Sequence, residues 1–293
     1  MADELPNVQI TQAPLKKVNP LANYYRQPKL YIKLPSKGQY YPVGALDVAE
    51  NGDYAVYAMT AKDELMLKTP DALLSGESTV QVIKSCIPAI LDPWQMPTID
   101  VDAALIAIRI ATYGESMDVT ASCPYCKEES KYSIPLTTML NKAQAFEWEP
   151  VVDADPLVIN IKPYNYQMLT KTSIKALEQQ RILGIVTNDQ MSEEEKLKKF
   201  NESFVKLTEL TVDTLANVVA SIESPEGVVT DRKEILEFMN NAPKEIFDRV
   251  QKAVGDLKEK VEMAPQTSKC ESCEKEFTMP VTLDQSNFFA GRS

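Results

Sequence analysis

The sequence predicts an α+β fold: a small β-rich N-terminal part and a split four-cysteine zinc ribbon, with a mainly α-helical insertion between the two zinc knuckles. Three observations predict it. Apolar and polar residues alternate at Leu30, Ile32 and Leu34 and again across "GDYAVYAMT" (52–60), the period of a half-buried strand. Two Cys-x-x-Cys pairs, Cys123/Cys126 and Cys270/Cys273, stand far apart in the chain. Between them, apolar residues recur at helical intervals over long stretches.

Residues 1–28 read as an extended arm, because Pro6, Pro14, Pro20 and Pro28 interrupt any regular element and few large apolar side chains lie between them. Such an arm is either a free tail or a segment that orders against a partner. Residues 29–116 form an α+β domain. Its first strand ends in a turn at Pro35–Gly38, after which Tyr40-Tyr41-Pro42 resumes an extended path. Thr60 and Asp63 have capping-box spacing, and Thr69-Pro70 fits an N-cap followed by proline at the first helical position. Val82, Ile83, Cys86 and Ile87 share one helical face, which makes Cys86 a small core residue. The run "IDVDAALIAIRIATYG" is apolar on every side, as a buried helix is. Asp100 or Asp102 can cap its start and Gly114 its end, and Arg109 in its midst should snorkel outward or pair with an acid.

Residues 136–265 form the insertion. An extended "DPLVINIKP" leads to a helix with Met168, Leu169, Leu177 and Ile182 turned inward. Ser192 and Glu195 open a second helix in capping-box spacing, followed by Leu197, Phe200, Phe204 and Leu207, with Leu215, Val218, Val219 and Ile222 extending the pattern. Asp231 can cap a short helix through Met239, and Pro243 can start another. Asp153 and Asp155 read as turn residues.

The ribbon itself occupies 117–135 and 266–283. Each knuckle, "CPYC" or "CESC", lets two thiolates converge on one ion, and four thiolates at about 2.3 Å complete a tetrahedral shell with no open position. "MDVTAS", "KYSIPL" and "EFTMPV" beside the knuckles read as short strands. Lys127, Lys131, Lys269 and Lys275 are placed to offset the charge of a tetrathiolate. The 143 residues between the pairs far exceed the usual spacing, which requires a block inserted between two halves of one ribbon. Loop-closure entropy rises only logarithmically, so the long closure is tolerable. The competing readings are a redox pair at "CPYC", which would need a helix start within a βαβ unit, and cysteines with no common task.

Composition narrows the function. The chain has 293 residues, no histidine and a formal charge of -11. Without histidine, the commonest general base and every imidazole metal site are gone, and no glycine-rich phosphate loop is present. The expectation is a protein that is not an enzyme, with no catalytic residue, no small-molecule substrate and no organic cofactor. A surface this acidic repels phosphate backbones, so nucleic acid is not an expected partner. "MADELPNVQI" is unlike a secretory signal and no apolar run approaches about 20 residues, so the expected site of synthesis is a cytosol, with no membrane partner.

"KLPSKGQYYP", the acidic-led "KDELML", "DVDAALIAIRIATYG", the "CPYC" knuckle and the paired Phe288-Phe289 together resemble the tailed-phage baseplate hub family of the T-even type. The resemblance covers about 29–135 and 268–290. It implies a protein of phage tail construction, made in the host bacterium's cytoplasm. It is either a permanent structural component of the hub region of a contractile-tail baseplate in the virion or an assembly factor for that hub, absent from finished particles. The implied partners are other baseplate and tail proteins, with copies of itself as a further candidate. The arm, the "LPSKGQYYP" turn and the 284–293 tail would carry the contacts, unless Tyr40, Tyr41, Phe288 and Phe289 instead pack on the protein's own core.

Overall fold

The computed structural model describes residues 19–68, 75–145, 151–186, 192–261, 266–279 and 288–289. Strand β1 (Pro28–Ile32) pairs antiparallel with β2 (Tyr54–Tyr57). The alternation behaves as expected: Ile32 and Leu34 are buried and Tyr31 is exposed. Helix α1 (Ala61–Leu67) starts at the capping box of Thr60 and Asp63, and α2 (Glu77–Cys86) buries Val82, Ile83 and Cys86. The Thr69-Pro70 signal lies outside the described residues. Helix α3 (Thr98–Tyr113) runs through the middle of this body and is buried along most of its length. Gly114 ends it in a conformation of positive φ, +100°, that costs glycine least.

On α3, Asp100 departs from the sequence reading, and Arg109 departs from the first of its two alternatives. Pro97, not Asp100 or Asp102, occupies the N-cap position. Asp100 sits in the first turn with no exposed surface and accepts from the Ser36 N–H (2.7 Å), the Ser36 hydroxyl (2.5 Å) and the Tyr41 hydroxyl (2.9 Å). The positive end of the helix dipole favours a carboxylate there. Asp100 therefore clamps the "LPSKGQYYP" segment, whose Lys37, Gly38 and Tyr40 all take positive φ; the path through Tyr40 is a tight turn rather than an extended one. Arg109 does not snorkel outward. It is buried, donates through Nη1 to the Phe288 carbonyl, and lies over the rings of Tyr113 and Phe288.

Burial raises the Asp100 carboxyl from 3.8 to about 6, against the lowering effect of its Ser36 and Tyr41 donors. The folded state therefore holds the proton more tightly than the unfolded chain between those values. The linkage sign follows: this group's ionisation penalty is absent below about pH 4 and fully present above about pH 6, so its contribution falls as pH rises. Asp100→Asn should flatten that part of the profile, read as the wild-type minus variant difference in denaturant unfolding between about pH 4 and 7. Asp100→Ala, which strands three buried donors, should cost about 2–4 kcal/mol at neutral pH.

The start of the described chain is held by Arg26, a role the sequence did not signal. Its guanidinium donates to the Ala58 and Ser85 carbonyls, pairs with buried Asp63 at 3.5 Å and lies over Tyr57. Residues 1–18 lie outside the described residues, so the extended-arm expectation is followed only from Asn19, where Pro20–Tyr24 forms a 3-10 turn.

Strands β3 (Ser116–Ser122) and β4 (Glu129–Pro135) form an antiparallel hairpin, and α4 (Leu136–Gln144) follows at once. Leu136, Met139 and Leu140 of α4 pack into the same core as β1, β2 and α3. A second core belongs to the insertion. It combines a four-stranded antiparallel sheet in the order β5 (Val151–Ala154), β6 (Leu157–Ile161), β7 (Val219–Ser224), β8 (Gly227–Val229) with helices α6 (Glu193–Val218), α7 (Arg232–Asn241) and α8 (Lys244–Val261). Asp155 lies in the β5–β6 turn as expected, whereas Asp153 belongs to β5, paired with Val158, and its Oδ1 accepts from the Asp155 N–H at 3.3 Å. Ser192 with Glu195 and Asp231 cap α6 and α7 as their spacing predicts.

The helical reading of 215–222 holds through Val218 and fails at Val219. Val219 and Ile222 belong to β7, where they face Ile161 and Ile159 of β6; the neighbouring strand, not the apolar spacing, decides this stretch. Helix α5 (Tyr166–Val186) is also oriented differently from expectation, since Leu169 and Leu177 are exposed. The insertion joins the body at a seam: Trp94 stacks on Tyr166, Thr98 N–H donates to the Tyr164 carbonyl at 2.8 Å, and Tyr166 N–H donates to the Met96 carbonyl at 2.9 Å. Among the described residues, no helix is long and apolar enough to cross a membrane.

Candidate metal centre

The two Cys-x-x-Cys segments meet in space. Cys123 and Cys126 lie in the turn between β3 and β4, and Cys270 and Cys273 lie in the turn between β9 (Gln266–Lys269) and β10 (Glu276–Met279). "EFTM" was legible as a strand from Phe277 and Met279, but "QTSK" carries no apolar alternation and was not. Each hairpin brings its knuckle to the same tip, and Tyr132 meets Phe277 edge-on at 5.5 Å to form a small core beneath the cysteines.

The knuckles are built alike. In one, Cys123 N–H donates to the Glu128 carbonyl at 2.9 Å and Lys127 N–H donates back to the Cys123 carbonyl at 2.9 Å. In the other, Cys270 N–H donates to the Lys275 carbonyl at 3.0 Å and Glu274 N–H returns to the Cys270 carbonyl at 2.9 Å. The residue after each second cysteine takes the left-handed conformation, Lys127 at φ 64° and Glu274 at φ 58°. This backbone turns the chain tightly enough for both thiols of a pair to face one point.

The four Sγ atoms lie within 4.8 Å of one another, with Cys123–Cys273 and Cys126–Cys270 each at 3.6 Å. Those separations are far beyond a disulfide bond of about 2.05 Å. The two 3.6 Å separations are close to the edge of about 3.8 Å of a sulfur tetrahedron with metal–sulfur bonds of about 2.3 Å. A metal ion could therefore be held by all four.

The electrostatics favour thiolates at Cys123 and Cys270. Backbone N–H groups of Cys273 and Ser272 aim at the Cys270 sulfur and pull its thiol down to about 6. For Cys123, burial raises the thiol, but the N–H groups of Cys126 and Tyr125 outweigh it and the net shift is downward. Cys126 moves up to about 12: the Glu128 N–H lowers it, but burial and hydrogen bonding to its three sister sulfurs outweigh that effect. Without a cation, four adjacent sulfurs cannot all ionise, and a divalent ion removes that restraint. Of the lysines expected near the site, Lys275 sits over the Tyr125 ring at 4.9 Å and Lys269 pairs with Glu274 at 3.6 Å. The fifth cysteine, Cys86, is in the body core as expected, with Arg26 Nη1 3.7 Å from its sulfur.

Of the aromatic residues offered as contact points, Tyr41, Phe288 and Phe289 are not available to partners. Phe288 and Phe289 are buried in the body core, Tyr41 packs against it, and of the four only Tyr40 is exposed. They are structural because Arg109 and Asp100 provide the polar partners that hold their segments in place.

The family model described as T4 bacteriophage base plate protein matches residues 27–290, both knuckles and the whole insertion included. The chain belongs to this family. Its setting is therefore the phage tail, in association with other tail proteins. A search of the curated proteins and a search of the solved structures found no match to the chain. For this base plate protein the match extends well beyond the segments that resembled the hub family in sequence, since it takes in residues 136–267 as well.

Proposed function

We propose that this base plate protein is a non-enzymatic structural component of the hub region of a contractile-phage tail, acting through protein–protein contacts and held in shape by a structural zinc ion on Cys123, Cys126, Cys270 and Cys273. The observation that carries the reading is the family match across 27–290. The donor set supports zinc: four thiolates are soft ligands that suit it, and a shell of four protein sulfurs leaves no position for substrate or water. Bound there, zinc supplies a cross-link between chain positions 144 residues or more apart. The lack of histidine supports a non-catalytic role, since no imidazole base can be assembled.

Quantitative mass spectrometry of purified virions tests the placement. Copies in a fixed ratio to other base plate proteins are the expected result. Complete absence from finished particles, with abundance in infected cells, would replace this reading with that of a transient assembly factor for the hub.

A further inference from the structure

Helix α6 carries Leu197, Phe200, Phe204, Thr208, Thr211, Leu215 and Val218 at steps of three and four, which keeps all seven on one face. The two ends of that stripe differ. At the N-terminal end Leu197, Phe200 and Phe204 are 62%, 49% and 61% exposed. At the C-terminal end Leu215 and Val218 line a cavity of about 470 Å³, completed by Ile99, Tyr164, Leu169 and Val254 among others. One face thus presents two aromatic rings at one end and an apolar hollow at the other, about 20 Å apart at 1.5 Å per residue.

We propose that α6 pairs antiparallel with α6 of a second copy, across a two-fold axis near Glu209, and that each copy places Phe200 and Phe204 in the other's cavity. In that register Phe200 lies opposite Val218 and Phe204 opposite Thr214, both of which line the cavity. The patch is complementary to itself, as a two-fold interface requires.

The middle of the stripe suits burial although it is polar in composition. The Thr208 hydroxyl donates to the Phe204 carbonyl at 3.0 Å and the Thr211 hydroxyl to the Leu207 carbonyl at 2.8 Å. Both donors are satisfied within the helix, and only their methyl groups need face the partner. Lys198, Lys199, Glu202 and Lys206 project from the far side of α6, by the advance of about 100° per residue, so no like charges meet at the axis. Phe200, Phe204, Leu197 and Leu169 offer roughly 400 Å² per copy, about 800 Å² for the pair, before the threonine methyl groups and the cavity rim are counted, an area that suits a weak, reversible contact.

Sedimentation velocity of the full metal-bound chain over a concentration series tests this. The expected result is a reversible monomer–dimer equilibrium. Phe204→Asp and Phe200→Asp, both at exposed positions, should leave the circular dichroism unchanged and raise the dissociation constant on the order of a hundredfold. Under mild oxidation Thr208→Cys should link to itself in the dimer, whereas Phe200→Cys should not, because its two copies stand about 27 Å apart in the antiparallel register. A wild-type chain that stays monomeric, a dimer indifferent to both aspartates, absence of the Thr208→Cys link, or self-linking of Phe200→Cys would each overturn the proposal.

Discussion

Cys123→Ser is expected to abolish stoichiometric zinc binding and to melt the two hairpins that meet at the knuckles. Cys123 and Cys270 are the two buried cysteines of the site, and each is the anchor of its own turn. Removing one thiolate leaves three sulfurs around an ion that needs four, and the partner knuckle loses its reason to dock. The small core beneath, Tyr132 with Phe277 and Met279, is too slight to hold β9 and β10 against β3 and β4 alone. Loss of the joint should lower the melting temperature by on the order of 10 °C. Calorimetry with metal analysis on the same sample checks both halves of the expectation. The base of the insertion should survive longer than the ribbon, because Trp94, Thr98 and Met96 hold it independently at the Tyr164–Tyr166 seam.

Phe288→Ala is the second change with a large effect, expected to cost about 3–5 kcal/mol in denaturant unfolding. The ring is buried, packs edge-on against Phe289 at 5.1 Å, and covers the guanidinium of Arg109. Its loss opens a cavity and loosens the chain segment whose carbonyl receives Arg109 Nη1. A buried cation deprived of such an acceptor is costly beyond the lost apolar contact. Phe204→Ala, at an exposed position, should by contrast change the stability of the monomer by less than about 0.5 kcal/mol. Equal effects at the two positions would mean that Phe288 is not a core residue.

What the sequence reveals and what it conceals follow from how local each signal is. Capping boxes at Thr60 and Ser192 and the paired knuckles involve residues within a few positions of one another, so they read directly. Strand β1 is equally plain because its alternation is short and regular. Asp100 misleads as a cap, and the burial of Arg109 is hidden, because their partners Ser36 and Phe288 are 64 and 179 residues away and nothing near them in the chain hints at either. The switch from α6 to β7 at Val219 is hidden for the same reason: Val218, Val219 and Ile222 satisfy a helical spacing, and only the edge of β6 makes the strand preferable. Leu197, Phe200 and Phe204 were legible as an apolar face, but which side of α6 the rest of the chain covers is a tertiary choice. The candidate metal centre was the most legible feature, since ligand type and spacing specify it without any knowledge of the intervening 143 residues.

X-ray absorption spectroscopy at the zinc edge, on the purified full chain with metal content determined in parallel, is the most direct measurement. One zinc ion per chain with four sulfur neighbours at about 2.3 Å is the predicted result. A folded chain free of zinc, a shell containing oxygen ligands, or cysteines paired as disulfides would contradict it.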